Sequence, residues 1–563
     1  MRRGTRLDPE SRRSGRFRAI APQDPRSAVC RVSTSENEDS SSSSPSRRTF
    51  LIASGAAVVA AGAAIAAKLT SAPALLGLDR KSGPRITGGW VNESAAVGHR
   101  LRDRAAMPAP RRTVRVPVVI VGGGIAGLSA AWQLEREGFR DYVLLEMERE
   151  AGGNSRGGEN AVSRYPWAAH YVPVPGPRAT LVRELFRELG VLTDVGWDER
   201  TLCFAPQERL FLHGEWQGGL ESELTATLAG RDELRRFEEL IDEQRHSGEF
   251  TIPMALGARA GSRLDRLSFA EWLDAAGLRS PAMRWYAEYG TRDDYGAMLR
   301  DTSAWAGVHY HASRESTEQG PLTWPEGNAW IAQRLAMRIA PRLITGTPVH
   351  SVSPVANKWR VRAGDAEYAC DHVIFAAPTF LAPYVIEGMR APGFSYSPWL
   401  VANLTLDRWP DERGVAPAWD NVIRSGVGLG YVVATHQSLR ARGDGPTVWT
   451  YYCPLVARDP NTERRVLQRS TWSDWVERIM KELAVAHPNI RRCVTHVDIV
   501  RLGHAMVRPT VGFLGVDARR DLQWAPRNIH LAHSDLSGLS LFEEAQYRGV
   551  AAADAVLAAQ HRG

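Results

Sequence analysis

Apolar residues run without a break over Val118–Val121, which suits a strand buried on both faces and is too short for a helix. The spacing then changes. Ile125, Leu128, Ala131, Trp132 and Leu134 recur at helical intervals, which predicts a helix over 125–137 that stops at Gly138. A second apolar run, Tyr142–Leu145, ends in Glu146. The order is strand, turn, helix, strand, the unit of a parallel sheet.

Further on, residues 178–288 read mostly as helix. Apolar residues at 181, 182, 185, 186 and 189 make one amphipathic face, and the charged stretch 233–245 reads as solvated. Ser268 and Glu271 have the spacing of a capping box ahead of a helix over 269–276. A Pro-x-Gly turn at 325–327 leads a helix to residue 339. Strands follow at 349–352, 359–361 and in Cys370–Pro378, CDHVIFAAP. Residues 396–505 alternate strands (400–406, 430–434, 447–452) with a helix over 472–487. The chain closes on a strand at 527–535, a glycine turn, and an alanine-rich helix that Ser540 and Glu543 are expected to cap.

Between the first strand and first helix stand Gly122, Gly124 and Gly127 in G-x-G-x-x-G spacing. The first glycine permits the tight turn, the second admits a pyrophosphate to the backbone, and the third lets helix and strand pack closely. The N–H groups around Gly124, Ile125 and Ala126 carry the positive end of the helix dipole, which suits phosphate. Glu146, ending the second strand, is placed to accept hydrogen bonds from a ribose. A glycine-rich turn alone is weak evidence. Here strand, helix, second strand and acid fall in register, and together they predict dinucleotide binding.

Six residues after Glu146 come Gly152, Gly153, Asn154, Ser155 and Arg156. With the first motif, this resembles the flavin-containing amine oxidase superfamily, which also holds carotenoid desaturases and protoporphyrinogen oxidases. The resemblance implies non-covalent FAD, with the second glycine pair against its pyrophosphate and ribityl chain. Where the family has arginine after that pair this chain has Asn154, with Arg156 two residues on. Residues 323–378 resemble the family's flavin-domain return, and Val349 matches the valine beside the adenine. Residues 527–544 resemble its last motif, with Ser534-Asp535 in place of Gly-Glu, a variant closer to bacterial spermidine-dehydrogenase-like members. Asp535 is then implied to bind the ribityl or phosphate region. The helix start near Phe542 is implied to face the flavin ring and stabilise its reduced anion.

The fold expected is α/β, a three-layer Rossmann-like FAD-binding domain with an inserted α+β substrate domain. The boundaries are a leader (1–68), a linker (69–112), FAD-binding segments (113–177, 323–395 and 506–563) and substrate-domain segments (178–322 and 396–505).

Composition refines this. The formal net charge of +7 is uneven, because residues 1–48 hold eleven arginines against six acids. The remainder is close to neutral, which gives no reason to expect nucleic-acid binding. Arg47 and Arg48 abut an apolar, alanine-rich run over 51–67, the twin-arginine export pattern. That pathway exports folded proteins, which suits a chain loaded with FAD beforehand. A periplasmic enzyme delivered by the twin-arginine translocase is expected, or one held by an uncleaved anchor. Cys30, Cys203, Cys370, Cys453 and Cys493 are scattered, with no C-x-x-C, so no metal site is expected.

The family's chemistry is hydride transfer from a carbon beside nitrogen to flavin N5, in a dry, mostly uncharged site. Many members carry a lysine at N5. In this chain Lys358 falls on a hairpin and Lys481 on a surface helix, and neither suits. His504, just ahead of the last flavin segment, is the candidate substitute. His170 or Tyr171, after the second glycine motif, is expected to form an active-site wall. Trp305, His309, Tyr310 and His311 make a further aromatic cluster, expected as a mixed wall rather than a metal site. The function expected is oxidation of an amine, polyamines included, with oxygen, a quinone or a cytochrome as electron acceptor. Two other readings stay open: a flavin desaturase or oxidase of an apolar substrate, and an FAD-loaded protein without turnover.

Overall fold

The computed structural model describes residues 86–91, 95–103, 109–257, 262–314, 320–390, 393–438, 444–515 and 525–561. All belong to one compact unit, residues 81–563. The twin-arginine leader and most of the linker lie outside them.

The three FAD-binding segments meet in one five-stranded sheet. Its order is Leu343–Ile344, Tyr142–Leu145, Val118–Val121, His372–Phe375, Ile529–Leu531, and every pairing is parallel. Alternation along these strands decides the layers. Val118, Ile120, Leu144 and Ile374 pack against the helices Ile125–Arg136, Ala329–Arg338 and Phe542–Gln560. Val119, Val121, Val143, Val373 and Phe375 pack on the other face against a four-stranded sheet, Val349–Val355, Lys358–Ala363, Ala366–Cys370 and Arg112–Arg115. Both faces are covered, which is why these strands read as unbroken apolar runs. Each large side chain buried this way contributes about 1.5–3 kcal/mol.

The second sheet has eight strands, in the order Thr87–Val91, Val494–Val507, Tyr396–Leu406, Thr447–Pro454, Gly430–Val433, Asp420–Ile423, Glu208–Leu212, Glu215–Gly218. Both substrate-domain segments contribute to it. The helix Trp472–Leu483 and Leu467 of the preceding helix cover one face. A helical lobe with its own core, from Leu224 to Ala312 and joined by Phe513, Leu514 and Leu539, completes the domain.

Three expectations are corrected. Residues 87–91, taken as linker, form an edge strand parallel to Val494–Val507. Its glycine pair reads as a breaker, yet a Cβ on Gly88 would lie 1.9 Å from the Val497 carbonyl oxygen, so the pairing needs a glycine there. The helix expected to reach residue 487 stops at Leu483, because Pro488 disfavours helical backbone before it. The helix Phe542–Gln560 has no side-chain cap: the Ser540 hydroxyl accepts instead from the Val507 N–H at 3.0 Å.

Candidate active site

Gly122 leaves the first strand at φ +102°, a conformation few side chains tolerate, and its N–H donates to the Leu145 carbonyl at 2.9 Å. The Gly123 N–H donates to Glu146 Oε2 at 2.5 Å, and the Glu148 N–H to Oε1 at 2.7 Å. Glu146 is buried, and burial raises its pKa against those two hydrogen bonds. Gly124 is bridged to Gly152, and the Gly152 N–H donates to the Gly123 carbonyl at 2.7 Å. The two glycine motifs therefore form one floor. A Cβ on Gly124 would meet nothing closer than the Gly153 Cα at 4.0 Å.

The helix Ile125–Arg136 starts at Gly124 with no side-chain cap. Its first N–H groups, Ile125 and Ala126 among them, are thus offered to a ligand, and the dipole favours phosphate there. Val349 is buried at the start of its strand. Just before it, the Thr347 and Gly346 N–H groups donate to the Glu146 and Glu148 carbonyls, both at 2.7 Å. An uncapped helix, an open glycine floor and an acid at the second strand's end fit a dinucleotide. Arg156 lies over this floor, Nε donating to the Gly153 carbonyl at 3.1 Å and Nη1 3.5 Å from Glu148. Asn154 points elsewhere, donating to the Ala505 carbonyl at 3.1 Å. Phe542 is buried against Phe186, with ring centroids 6.2 Å apart. Ser534 is buried beside Asp535. Asp535, expected to face the cofactor, gives Oδ2 to Thr379 and Tyr396, and its Oδ1 lies 3.1 Å from His533 Nδ1, which accepts the Asp535 N–H.

The loop carrying His170 is bolted to both domains. Ala169 N–H donates to the Asn154 carbonyl at 2.9 Å, and the Thr323 hydroxyl donates to the His170 carbonyl at 2.8 Å. From the substrate sheet, the Tyr452 hydroxyl donates to the Ala168 carbonyl at 2.8 Å. The His170 ring stacks on Tyr452 at 4.5 Å, and Trp419 and Tyr171 stand 5.4 and 5.0 Å away. Burial pulls its pKa down to about 4, so the ring is neutral near pH 7.

Below this cage lie carboxylates that the sequence reading missed. The Tyr289 hydroxyl donates to Asp420 at 2.9 Å, and the Tyr171 hydroxyl is 3.4 Å from Asp293. Glu208, Asp293 and Asp420 are close enough to disfavour one another's charge. Glu208 keeps accessible surface at the start of its strand, while Asp293 and Asp420 are half-buried. Burial, then the Glu221 charge, pushes its pKa up to about 7. Burial likewise raises Asp293 and Asp420. Arg314 pairs with Asp294, and its charge also eases the ionisation of Asp293. The signal available in the sequence was Asp293-Asp294 set among Tyr289 and Tyr295 near the end of the helix Pro281–Tyr295.

His504 does not join His170. Its ring stacks on Phe380 at 4.5 Å, with Tyr396 at 5.7 Å, and it is exposed. Surrounding protein and then Arg464 lower its pKa to about 4. The two candidates predict different outcomes: His170→Ala lowers turnover at least tenfold, while His504→Ala lowers it less, with FAD retained in both. Stopped-flow reduction of the bound flavin measures this. On the helix Ala304–Ala312, His309 hydrogen-bonds the Thr251 carbonyl at 2.9 Å, and His311 packs edge-on against Phe237. The cluster is therefore divided between the helix's neighbours. Lys358 pairs with Asp371 on the hairpin.

The family model for flavin-containing amine oxidoreductases matches residues 125–557 of this geometry. The chain belongs to that family. Its cofactor is FAD. A protein of Mycobacterium tuberculosis named as a flavin-containing monoamine oxidase, AofH, is 26% identical over 284 residues, covering 47% of this chain and 57% of the relative. The chain thus spans little more than half the length of that curated relative. Among solved structures, a redesigned putrescine oxidase superposes with a TM-score of 0.61 at 17% identity, covering 79% of this chain and all of that one. Cyclohexylamine oxidase from Brevibacterium oxydans superposes with a TM-score of 0.57 at 16% identity, covering 79% of this chain and 99% of that one. At these identities the likeness carries the fold.

Proposed function

We propose that this family member oxidises a diamine or polyamine. The observation that carries the reading is the cluster of Glu208, Asp293 and Asp420, which raise one another's pKa and none of which is ion-paired to arginine or lysine among the described residues. Carboxylates that crowd one another are costly to ionise together unless something neutralises them. A substrate with a second ammonium does so. When bound, FAD supplies the two-electron acceptor for the hydrogen on the carbon beside the reacting nitrogen. Gly122, Gly124, Ile125, Ala126, Gly127, Glu146, Gly152, Gly153, Arg156 and Val349 would hold it.

The carboxylates hold the distal ammonium, and the rings of Tyr171, Trp419 and Tyr452 exclude water from the reacting end. His170 Nδ1 lies 3.3 Å from the Ala168 carbonyl, which can only accept, so the proton sits on Nδ1. Nε2 is left as an uncharged acceptor for a substrate N–H.

The test is anaerobic reduction of the loaded enzyme by 1,4-diaminobutane against butylamine. The diamine should act at a KM at least tenfold lower. Glu208→Gln or Asp293→Asn should raise the diamine KM by roughly 10–100-fold, the range for a charge-assisted contact, and leave butylamine unchanged. Because Glu208 is neutral below about pH 7 and charged above it, the diamine KM should fall as pH rises through 7. Stability runs the other way. A raised carboxyl pKa contributes stability that is fully present below the unfolded value and lost as pH rises through the folded one, so substrate-free protein should melt lower above pH 7, and the diamine should restore it. Equal use of both amines, or flavin that only an apolar substrate reduces, would contradict the reading.

The same proposal places the enzyme outside the cytoplasm. Its support is the Arg47-Arg48 pair ahead of the apolar run, and replacing both arginines by lysine should retain the protein in the cytoplasm.

A further inference from the structure

Asp535 is buried deep in the C-terminal turn. Its Oδ2 accepts from the Thr379 N–H at 3.0 Å, the Thr379 hydroxyl at 2.8 Å and the Tyr396 hydroxyl at 3.0 Å. Its N–H donates to His533 Nδ1 at 3.1 Å, and Oδ1 lies 3.1 Å from the same nitrogen. Burial favours its neutral form, but His533 and the Thr379 donors win and hold its pKa below the usual range. Its charge is therefore met at Oδ2 by three donors from its own protein.

Its partners sit at consequential places. Thr379 follows Ala376-Ala377-Pro378, the exit of the strand His372–Phe375. That backbone lies against the first glycine turn, where a Cβ on Gly122 would stand 2.9 Å from the Ala377 nitrogen. Tyr396 opens the strand that leaves the flavin domain for the eight-stranded sheet, and its ring contacts Phe380 at 5.1 Å and His504 at 5.7 Å. On the far side, Arg548 ties the same turn to the last helix, donating to the Ser537 hydroxyl at 3.0 Å and to the Leu536 carbonyl at 3.3 Å.

We propose that Asp535 is a positioning residue: it rivets the third FAD-binding segment to the second and to the domain crossover, and acts on the cofactor only through Thr379 and Tyr396. This departs from a role as cofactor ligand. It depends on FAD binding alone and stands whatever the substrate is.

The test is titration of apo-protein with FAD, read by fluorescence quenching and by visible circular dichroism of the bound flavin. Asp535→Asn, Tyr396→Phe and Thr379→Val are compared, with melting curves to confirm that each folds. Asp535→Asn should weaken FAD binding roughly tenfold, the loss of about one hydrogen bond to a charged group. Tyr396→Phe and Thr379→Val should shift affinity and dichroism in the same direction, and Tyr396→Phe should add little on top of Asp535→Asn, because both cut one network. Should Asp535→Asn fail to fold, the two conservative variants still decide the matter. Wild-type affinity and dichroism in both would overturn the proposal. A loss confined to Asp535→Asn would make Asp535 a direct ligand and overturn it equally.

Discussion

Replacing Arg209 by methionine is expected to destabilise the protein by about 3–5 kcal/mol, a large share of the roughly 5–15 kcal/mol that holds a typical domain folded. Arg209 is 1% exposed. Its Nε donates to Asn421 Oδ1 at 2.6 Å, and its two Nη atoms reach Glu412 at 3.1 and 2.7 Å, with the Val415 carbonyl at 2.9 Å. The guanidinium also lies 4.0 Å over the Trp216 ring. Methionine fills the space but leaves Glu412 charged without its partner and Asn421 Oδ1 with only the Ala418 N–H at 3.4 Å, and that uncompensated charge is the large term. Arg209 follows Glu208 on one strand, and alternation sends the two to opposite faces. Loss of Arg209 therefore disturbs the strand that presents Glu208. A melting curve checks the single variant. Arg209→Met combined with Glu412→Leu should recover much of the loss, since removing both partners removes the orphaned charge. A single variant that melts like wild type would show that the network carries no weight.

Gly549→Ala is expected to have the second largest effect. Alanine is a better helix former than glycine by about 1 kcal/mol, so on propensity alone the change stabilises. Space decides otherwise. A Cβ at 549 would lie 2.1 Å from the Ala126 carbonyl oxygen and 3.1 Å from the Ala130 nitrogen, both backbone atoms. Overpacking of this kind costs about 1–3 kcal/mol, and relief comes only by moving the helix Phe542–Gln560 off the helix that starts at Gly124. The first helix meets the strands as closely, where a Cβ at Gly127 would stand 1.9 Å from the Gly122 carbonyl oxygen. Gly549→Ala and Gly127→Ala should both lose FAD affinity by more than tenfold with a lowered melting point. Gly138→Asn is the control: its site is open, at φ +77°, a conformation asparagine tolerates. Its FAD affinity should stay within about twofold of wild type.

Gly127 was legible beforehand because its spacing from Gly122 encodes the contact. Gly549 was not, because a glycine inside an alanine-rich helix looks like tolerated weakness until the partner helix is placed. The same division holds at the site. Val118–Val121, Gly138 and Glu146 announce themselves through local periodicity and turn chemistry, which act within a few residues. Glu208, Asp293 and Asp420 come from three distant stretches, and only the pairing of Glu208–Leu212 with Asp420–Ile423 sets two of them side by side. Asn154 was visible as a departure from the family pattern. Its purpose was not, since its partners are the carbonyl of Ala505 and the N–H of Ala169. The cap expected at Ser540 failed for a related reason: a distant N–H, that of Val507, claimed the hydroxyl first.

The central claim is that three separated segments build one crevice for a single FAD. Isothermal titration of the apo-protein with FAD tests it most directly. One FAD bound per chain, with a yellow complex that Gly127→Ala fails to form, is the predicted result. A folded wild-type protein that takes up no FAD, or that binds it as well with alanine at 127, would contradict it.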